Sequence, residues 1–193
     1  MEASGTAEIE TKGTDNIIIV EPTISSREEI TAFMKKYEGA PMTMFDSPDE
    51  NRRMIIFEKG EGKTQSRGVN SCFSIVAMGS QELTINSHSP IKYARADAER
   101  IRNVLEERDS IEGITIYVAG NAPFSAYDHE SDVMWQEVAR PFIEFARKNS
   151  TRVTLMLLRL DGPTKTVSFG IDKTTHGADI DYVITDYSTR NAR

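Results

Sequence analysis

Five basic side chains, Arg52, Arg53, Lys59, Lys63 and Arg67, fall within residues 52–67, against only Glu58 and Glu61. This is the most basic stretch of the chain, with Gly60 and Gly62 inside it and Gly68 directly after it. Lysine and arginine at this density can hold phosphates, because each phosphate they neutralise releases condensed counterions. Gly62-Lys63-Thr64 also follows the apolar run Met54-Ile55-Ile56-Phe57, the order in which a Walker-type loop follows its strand. Such a loop needs a glycine five residues before Gly62, where Phe57 stands, and a helix directly after the Lys-Thr pair. Here Gln65-Ser66-Arg67-Gly68 leads into the strand-like Cys72-Phe73-Ser74-Ile75-Val76, so the nucleotide reading fails. What remains is a β-hairpin, with strands at Arg53–Glu58 and Val69–Met78 and a glycine-broken loop at 59–68. A mobile basic hairpin can grip a phosphate backbone. A charged, solvated edge that deters strand-to-strand aggregation would look the same in sequence.

Other reactive side chains are scattered. His88, His129 and His176 are far apart, and none has a partner at metal-ligand spacing, so no metal is expected. His129 stands in Tyr127-Asp128-His129-Glu130-Ser131-Asp132, between a strand and a helix, where a histidine flanked by carboxylates can act as a general base. The same residues also suit the polar start of a helix, with Ser131 capping and the acids favouring its dipole. Asp179 and Asp181 would share one strand face near His176 and Asp186, an arrangement open to a hard cation or to a solvated strand end. The single cysteine, Cys72, excludes an internal disulfide and sits in an apolar run as a small core residue. No cofactor is implied.

Composition sets the class. At 193 residues, with 38% hydrophobic and 27% charged residues, the chain suits one well-buried globular domain, or at most two small ones. Its apolar runs are too short for a membrane span, and no charged start leads into an apolar stretch, so neither a membrane segment nor a secretory signal is expected. A cytoplasmic protein is the plain expectation. The formal charge is −7, and residues 1–50 account for it with 11 acids and 4 bases, while residues 51–193 hold 19 of each. Residues 1–14 lack periodicity and read as a disordered acidic tail ahead of a single domain at 15–193.

The elements that would position these residues follow from periodicity. Ile17–Val20 is a β-branched strand stopped by Pro22. Ser26-Arg27-Glu28-Glu29 fits a capping box, and Ile30, Phe33, Met34 and Tyr37 mark one helix face ending at Gly39. Strands are expected at 42–45, 53–58, 69–78 and 81–86. A helix then opens at Ser89-Pro90, with Ala94, Ala98, Ile101 and Leu105 inward. The second half offers strands at 114–118, 153–160, 164–169 and 180–185, the last two joined by a polar loop. Its helix is capped by Ser131 and carries Met134, Val138, Phe142 and Phe145 inward, with Pro141 expected to kink it or to remove one backbone hydrogen bond. Val153–Leu160 is almost continuously apolar, which marks a central strand covered on both faces. The expected fold is α+β, mainly antiparallel, with about three helices and two four-strand-plus-helix units.

That repeated order, over roughly residues 42–187, resembles Whirly and PUR-type proteins, including Whirly-like RNA-binding proteins of large phages. The resemblance implies single-stranded nucleic-acid binding on curved antiparallel sheets, and it carries over no individual residue. Together with the basic hairpin it gives a leading expectation. The chain would be a non-enzymatic protein that binds single-stranded RNA or DNA through Arg52, Arg53, Lys59, Lys63 and Arg67. Bases would stack on sheet aromatics such as Phe73, Phe57 or Tyr182. A structural or assembly protein working by protein–protein contacts, for example a viral or phage component or a homo-oligomer, is the first alternative and requires an exposed apolar patch. A small hydrolase is the second, and requires residues 127–132 to meet His176 or the acids at 179–186 in one pocket.

Overall fold

The computed structural model describes residues 16–57, 61–70, 72–79, 83–108, 113–121, 129–160, 164–174 and 177–186, with the side chains of Phe57, Asn121 and 129–136 left aside. In chain order its elements are β1 (Ile17–Val20), α1 (Arg27–Lys36), α2 (Glu50–Arg53), β2 (Met54–Phe57), β3 (Gly62–Val69), β4 (Cys72–Gly79) and β5 (Leu83–Ser87). There follow β6 (Ser89–Pro90), α3 (Ile91–Glu106), β7 (Ile114–Asn121), α4 (His129–Lys148), β8 (Val153–Leu160), β9 (Lys165–Thr174) and β10 (Gly177–Asp186).

The fold is α+β, with ten strands and four helices among the described residues, and most strand pairs are antiparallel. The strands form two sheets. The larger has the order β1-β8-β7-β4-β5-β2, with β6 paired to β4; the smaller is β10-β9-β3. Within the larger sheet β8 is parallel to both β1 and β7, and the remaining pairs are antiparallel. The expected pair of four-strand units is corrected here: strands of both halves are shared between the two sheets. β3 from the first half joins β9 and β10, while β7 and β8 from the second half join β4.

Four layers result. α3 and α4 cover one face of the larger sheet, burying Ala94, Ala98, Ile101, Leu105, Val138, Phe142 and Phe145 against Phe73, Ile75, Ile116 and Leu155. The other face packs on the smaller sheet through Val76, Leu158, Leu160, Val167, Phe169 and Ile171. α1 covers the outer face of the smaller sheet, where Phe33 and Tyr37 pack with Val183. The run at 153–160 is explained by this sandwich. Leu155 and Leu157 point to the helices, and Leu158 and Leu160 to the second sheet, so both faces must be apolar.

Local signals hold where they are self-contained. Ser26 and Glu29 form the capping box of α1 reciprocally, with Glu29 N donating to Ser26 Oγ and Ser26 N donating to Glu29 Oε2. Pro141 lies inside α4. Signals that depend on a distant partner do not translate. Met42–Phe45 is not a strand: Met42 makes one parallel bridge to Gln65, and Phe45 lies in a turn. Arg53 ends a short helix, capped by Asp49, instead of opening a strand. The expected loop at 170–179 belongs mostly to β9 and β10, which pair from Gly177↔Thr174 to Asp186↔Lys165.

At Gly170 the packing demands glycine. A Cβ there would overlap the Tyr37 ring, which lies on β9 beneath α1. Gly170→Ala is therefore expected to cost about 1–3 kcal/mol by overpacking, and to speed hydrogen exchange in α1 more than in α3. A change under about 0.5 kcal/mol in urea unfolding would show that the ring is not seated there.

Candidate functional site

The basic segment is not a hairpin. β2 pairs with β5 in the larger sheet and β3 pairs with β9 in the smaller one, so the chain passes from one sheet to the other between Phe57 and Gly62. The segment's cations are thereby separated. Arg53 is buried at 4% exposure, with its guanidinium on both Asp97 oxygens (Nε–Oδ2 2.8 Å, NH2–Oδ1 2.9 Å). Its NH1 donates to the carbonyls of Ser47 and Pro48, and the Tyr93 ring lies 4.0 Å from it. Ser89 Oγ donates to Asp97 Oδ2 at 2.6 Å. The hydrogen bonds to the Asp97 carboxylate, partly offset by burial, raise the Arg53 pKa further. Arg53 is thus a fully engaged interior cation that ties the 47–49 turn to α3, and it is not available to phosphate. Phe73 is 3% exposed in the core beneath α3 and α4, so no base can stack on it.

Lys63 is exposed but pairs with Asp172 (3.1 Å) on the outer face of the smaller sheet and also approaches the Lys36 carbonyl. Beside it, Asp181 accepts from Lys36 Nζ and Tyr37 Oη, each at 2.6 Å. Burial raises the Asp181 pKa, but those two donors outweigh it and hold the carboxyl below its ordinary range. Burial, with Asp181 beside it, drives the Tyr37 phenol well above its usual value. These charges fasten α1 to β9 and β10. Asp179 and Asp181 do share one face, as the pairing Asp179↔Asp172 and Asp181↔Gly170 requires. Among the described residues no group of three or more His, Cys, Asp or Glu is placed to hold a metal ion.

Lys59, His176 and residues 127 and 128 lie outside the described residues, as do residues 1–15. His129 is the first residue of α4, and its side chain lies outside them too. Tyr182 is 36% exposed, at the rim of an inter-sheet aromatic group with Tyr117 (6.0 Å) and Phe169 (5.9 Å).

Of the six basic and aromatic positions, Arg52 and Arg67 remain at the surface with no ion pair among the described residues. Arg67 matters most. It is half-buried, donates from Nε to Gln65 Oε1 at 2.6 Å, and lines an open groove of about 590 Å³ between α1 and the outer edge of β3. Gln65 in turn donates to the carbonyls of Tyr37 and Ala40, which fixes the floor. Segment 41–43 closes part of the β3 edge through Gln65 N to Pro41 O and Thr43 N to Gln65 O. Met34, Ala40 and Met42 line the groove, with Lys35, Arg67 and Glu38 as its charges. Met34 and Met42 are 42% and 52% exposed, and Met44 and Phe45, which follow Met42 in the chain, are 46% and 45% exposed.

Sequence reasoning misses this surface. Periodicity puts Met34 on the buried face of α1, but Phe33, Tyr37 and half-buried Ile30 fill that face and Met34 sits at its margin. The available signal is Met42-Thr43-Met44-Phe45, an apolar run next to Pro41 that pairs with no strand beyond the single bridge at Met42. No family model matches the chain, and no curated protein matches it. Among the described residues no helix is long and apolar enough to cross a membrane.

Proposed function

We propose that the protein is a non-enzymatic binding protein that works by protein–protein contact, taking an apolar, acidic segment of a partner into the groove between α1 and β3. The observation that carries this reading is the exposed methionine surface. Two large apolar side chains, Met34 and Met42, line the groove and stay exposed, and the exposed Met44 and Phe45 follow Met42 in the chain. Isolated exposed apolar residues are ordinary, but two methionines that share one concave surface suit an interaction site, and methionine adapts to partners of varied shape. Lys35 and Arg67 against Glu38 give the groove a cationic bias that suits a carboxylate on the incoming segment. A second copy of the chain is one source of such a segment.

A second reading uses the same groove for single-stranded RNA or DNA, the function suggested by the resemblance to Whirly and PUR-type proteins. Arg67 and Lys35 would contact phosphates in the groove, with the exposed Arg52 and Phe45 outside its lining as further contacts. The predominance of apolar lining and the small number of cations favour the protein reading.

Peptide display separates them. Random peptides are selected on the wild-type protein, with a labelled oligothymidylate and an oligouridylate measured in parallel by anisotropy. The protein reading expects enriched apolar–acidic peptides whose binding falls at least about tenfold in Met34→Glu/Met42→Glu, the scale of losing a central contact. Oligonucleotide binding that is stronger than peptide binding and lost in Lys35→Ala/Arg67→Ala would replace it with the nucleic-acid reading. Peptide binding indifferent to the methionine changes would remove the groove.

A further inference from the structure

Lys173 occupies a position on β9 that alternation turns toward the larger sheet. Val167, Phe169 and Ile171 precede it at every second residue, and all three are buried between the sheets. Lys173 is 3% exposed, and its ammonium has no hydrogen-bond partner among the described residues. Its cross-strand neighbours, Gly62 on β3 and Ala178 on β10, carry no polar side chain. Burial lowers its pKa from the ordinary lysine value.

The strand that packs opposite β3, the neighbour of β9, is polar too. Thr84 and Asn86 on β5 are fully buried and pair with Met78 and Val76, and Val76 belongs to the inter-sheet core. Asn86 Nδ2 approaches Thr64 Oγ1 at 3.5 Å, which joins β5 to β3 across the two sheets. Thr64 is paired with Ile171, one same-face step from the Gly62↔Lys173 pair. Thr84 Oγ1 and Asn86 Oδ1 are, like Lys173 Nζ, buried without a partner among the described residues. Buried polar groups are normally satisfied, and three lapses on β5 and β9, linked through Thr64 of β3, call for an occupant. Water would satisfy a hydroxyl and an amide but would leave the ammonium without a countercharge.

We propose that this inter-sheet corner is a site for a small oxyanion, a carboxylate or phosphate group, with Lys173 as its countercharge and the Thr84 hydroxyl as a donor. For a hydrogen phosphate, the Asn86 carbonyl oxygen accepts from the ligand's P–OH; a carboxylate leaves that oxygen to a water. The site is separate from the α1–β3 groove and does not depend on the function assigned to it.

The test is thermal unfolding of the full chain in rising sodium phosphate and, separately, sodium acetate, with sodium chloride holding ionic strength constant. A ligand that binds the folded state raises Tm with the logarithm of its concentration. The proposal expects that rise with at least one oxyanion; phosphate alone or acetate alone would identify the preferred group. Lys173→Met keeps the side-chain length without the charge, and should abolish the dependence while melting no lower than the wild type in chloride. Thr84→Val should weaken the apparent affinity severalfold. A general salting effect of phosphate would persist in Lys173→Met, and that persistence would overturn the proposal, as would a wild type indifferent to both oxyanions. If Lys173→Met does not fold, an oxyanion dependence unchanged in Thr84→Val overturns it equally.

Discussion

Asp97→Ala is expected to destabilise the fold by about 3–5 kcal/mol, because it leaves the Arg53 guanidinium buried without its anion. Asp97 is 2% exposed and accepts from Arg53 twice and from Ser89 once. Removing it strips the charge partner from Arg53 and the acceptor from Ser89 together. The carbonyls of Ser47 and Pro48 and the ring of Tyr93 remain, but none carries a full negative charge. The double change Arg53→Met/Asp97→Leu should recover most of the loss, since a buried pair adds little over well-packed apolar residues. Urea unfolding checks both. A loss under about 1 kcal/mol in Asp97→Ala would mean that Arg53 reaches solvent.

The second large effect concerns pH. His88 is 2% exposed, its Nε2 has no partner among the described residues, and Phe45 stacks on it at 5.1 Å. Burial lowers its pKa to about 4. The unfolded chain takes up this proton near the ordinary histidine value of about 6.5, and the folded chain does not. Stability from this group is therefore complete above about pH 6.5, falls as the pH drops, and is exhausted near pH 4. The full loss is on the order of 3 kcal/mol, at about 1.4 kcal/mol for each pH step between the unfolded and folded values. Unfolding free energies at several pH values should show a slope between about 6.5 and 4 that is nearly absent in His88→Gln. Equal slopes in the two proteins would place the histidine in water.

Residues 42–67, which supply Arg53 and the Phe45 ring over His88, are also where sequence and structure diverge most, and the reason is physical. Alternation reports that a segment is extended and which side chains share a face; it does not report which strand lies alongside. The two strands on either side of residues 58–61 are legible as strands, but their membership of different sheets is not. Arg53 reads as an exposed cation because charge is normally solvated. The contrary signal is Asp97, three residues after Ala94 and four before Ile101 on the buried face of α3, a charge that needs an interior partner. Phe73 reads as a stacking platform only if β4 has a free face, and β4 is buried on both. Elements defined by their own residues fare better: the Ser26 cap, the apolar face of α3, and the doubly covered β8. The groove is not legible, because its walls, α1 and β3, meet only through the tertiary fold.

If the α1–β3 groove is the working surface, a bound partner segment must shield its walls. Hydrogen exchange of the protein saturated with its best selected peptide measures this directly. Slowed exchange is expected in α1 and in residues 40–44 and 62–67, with β1 and α3 unchanged. Protection confined to the exposed edge strand Ile17–Val20, or absent from α1, would contradict the groove as the binding site.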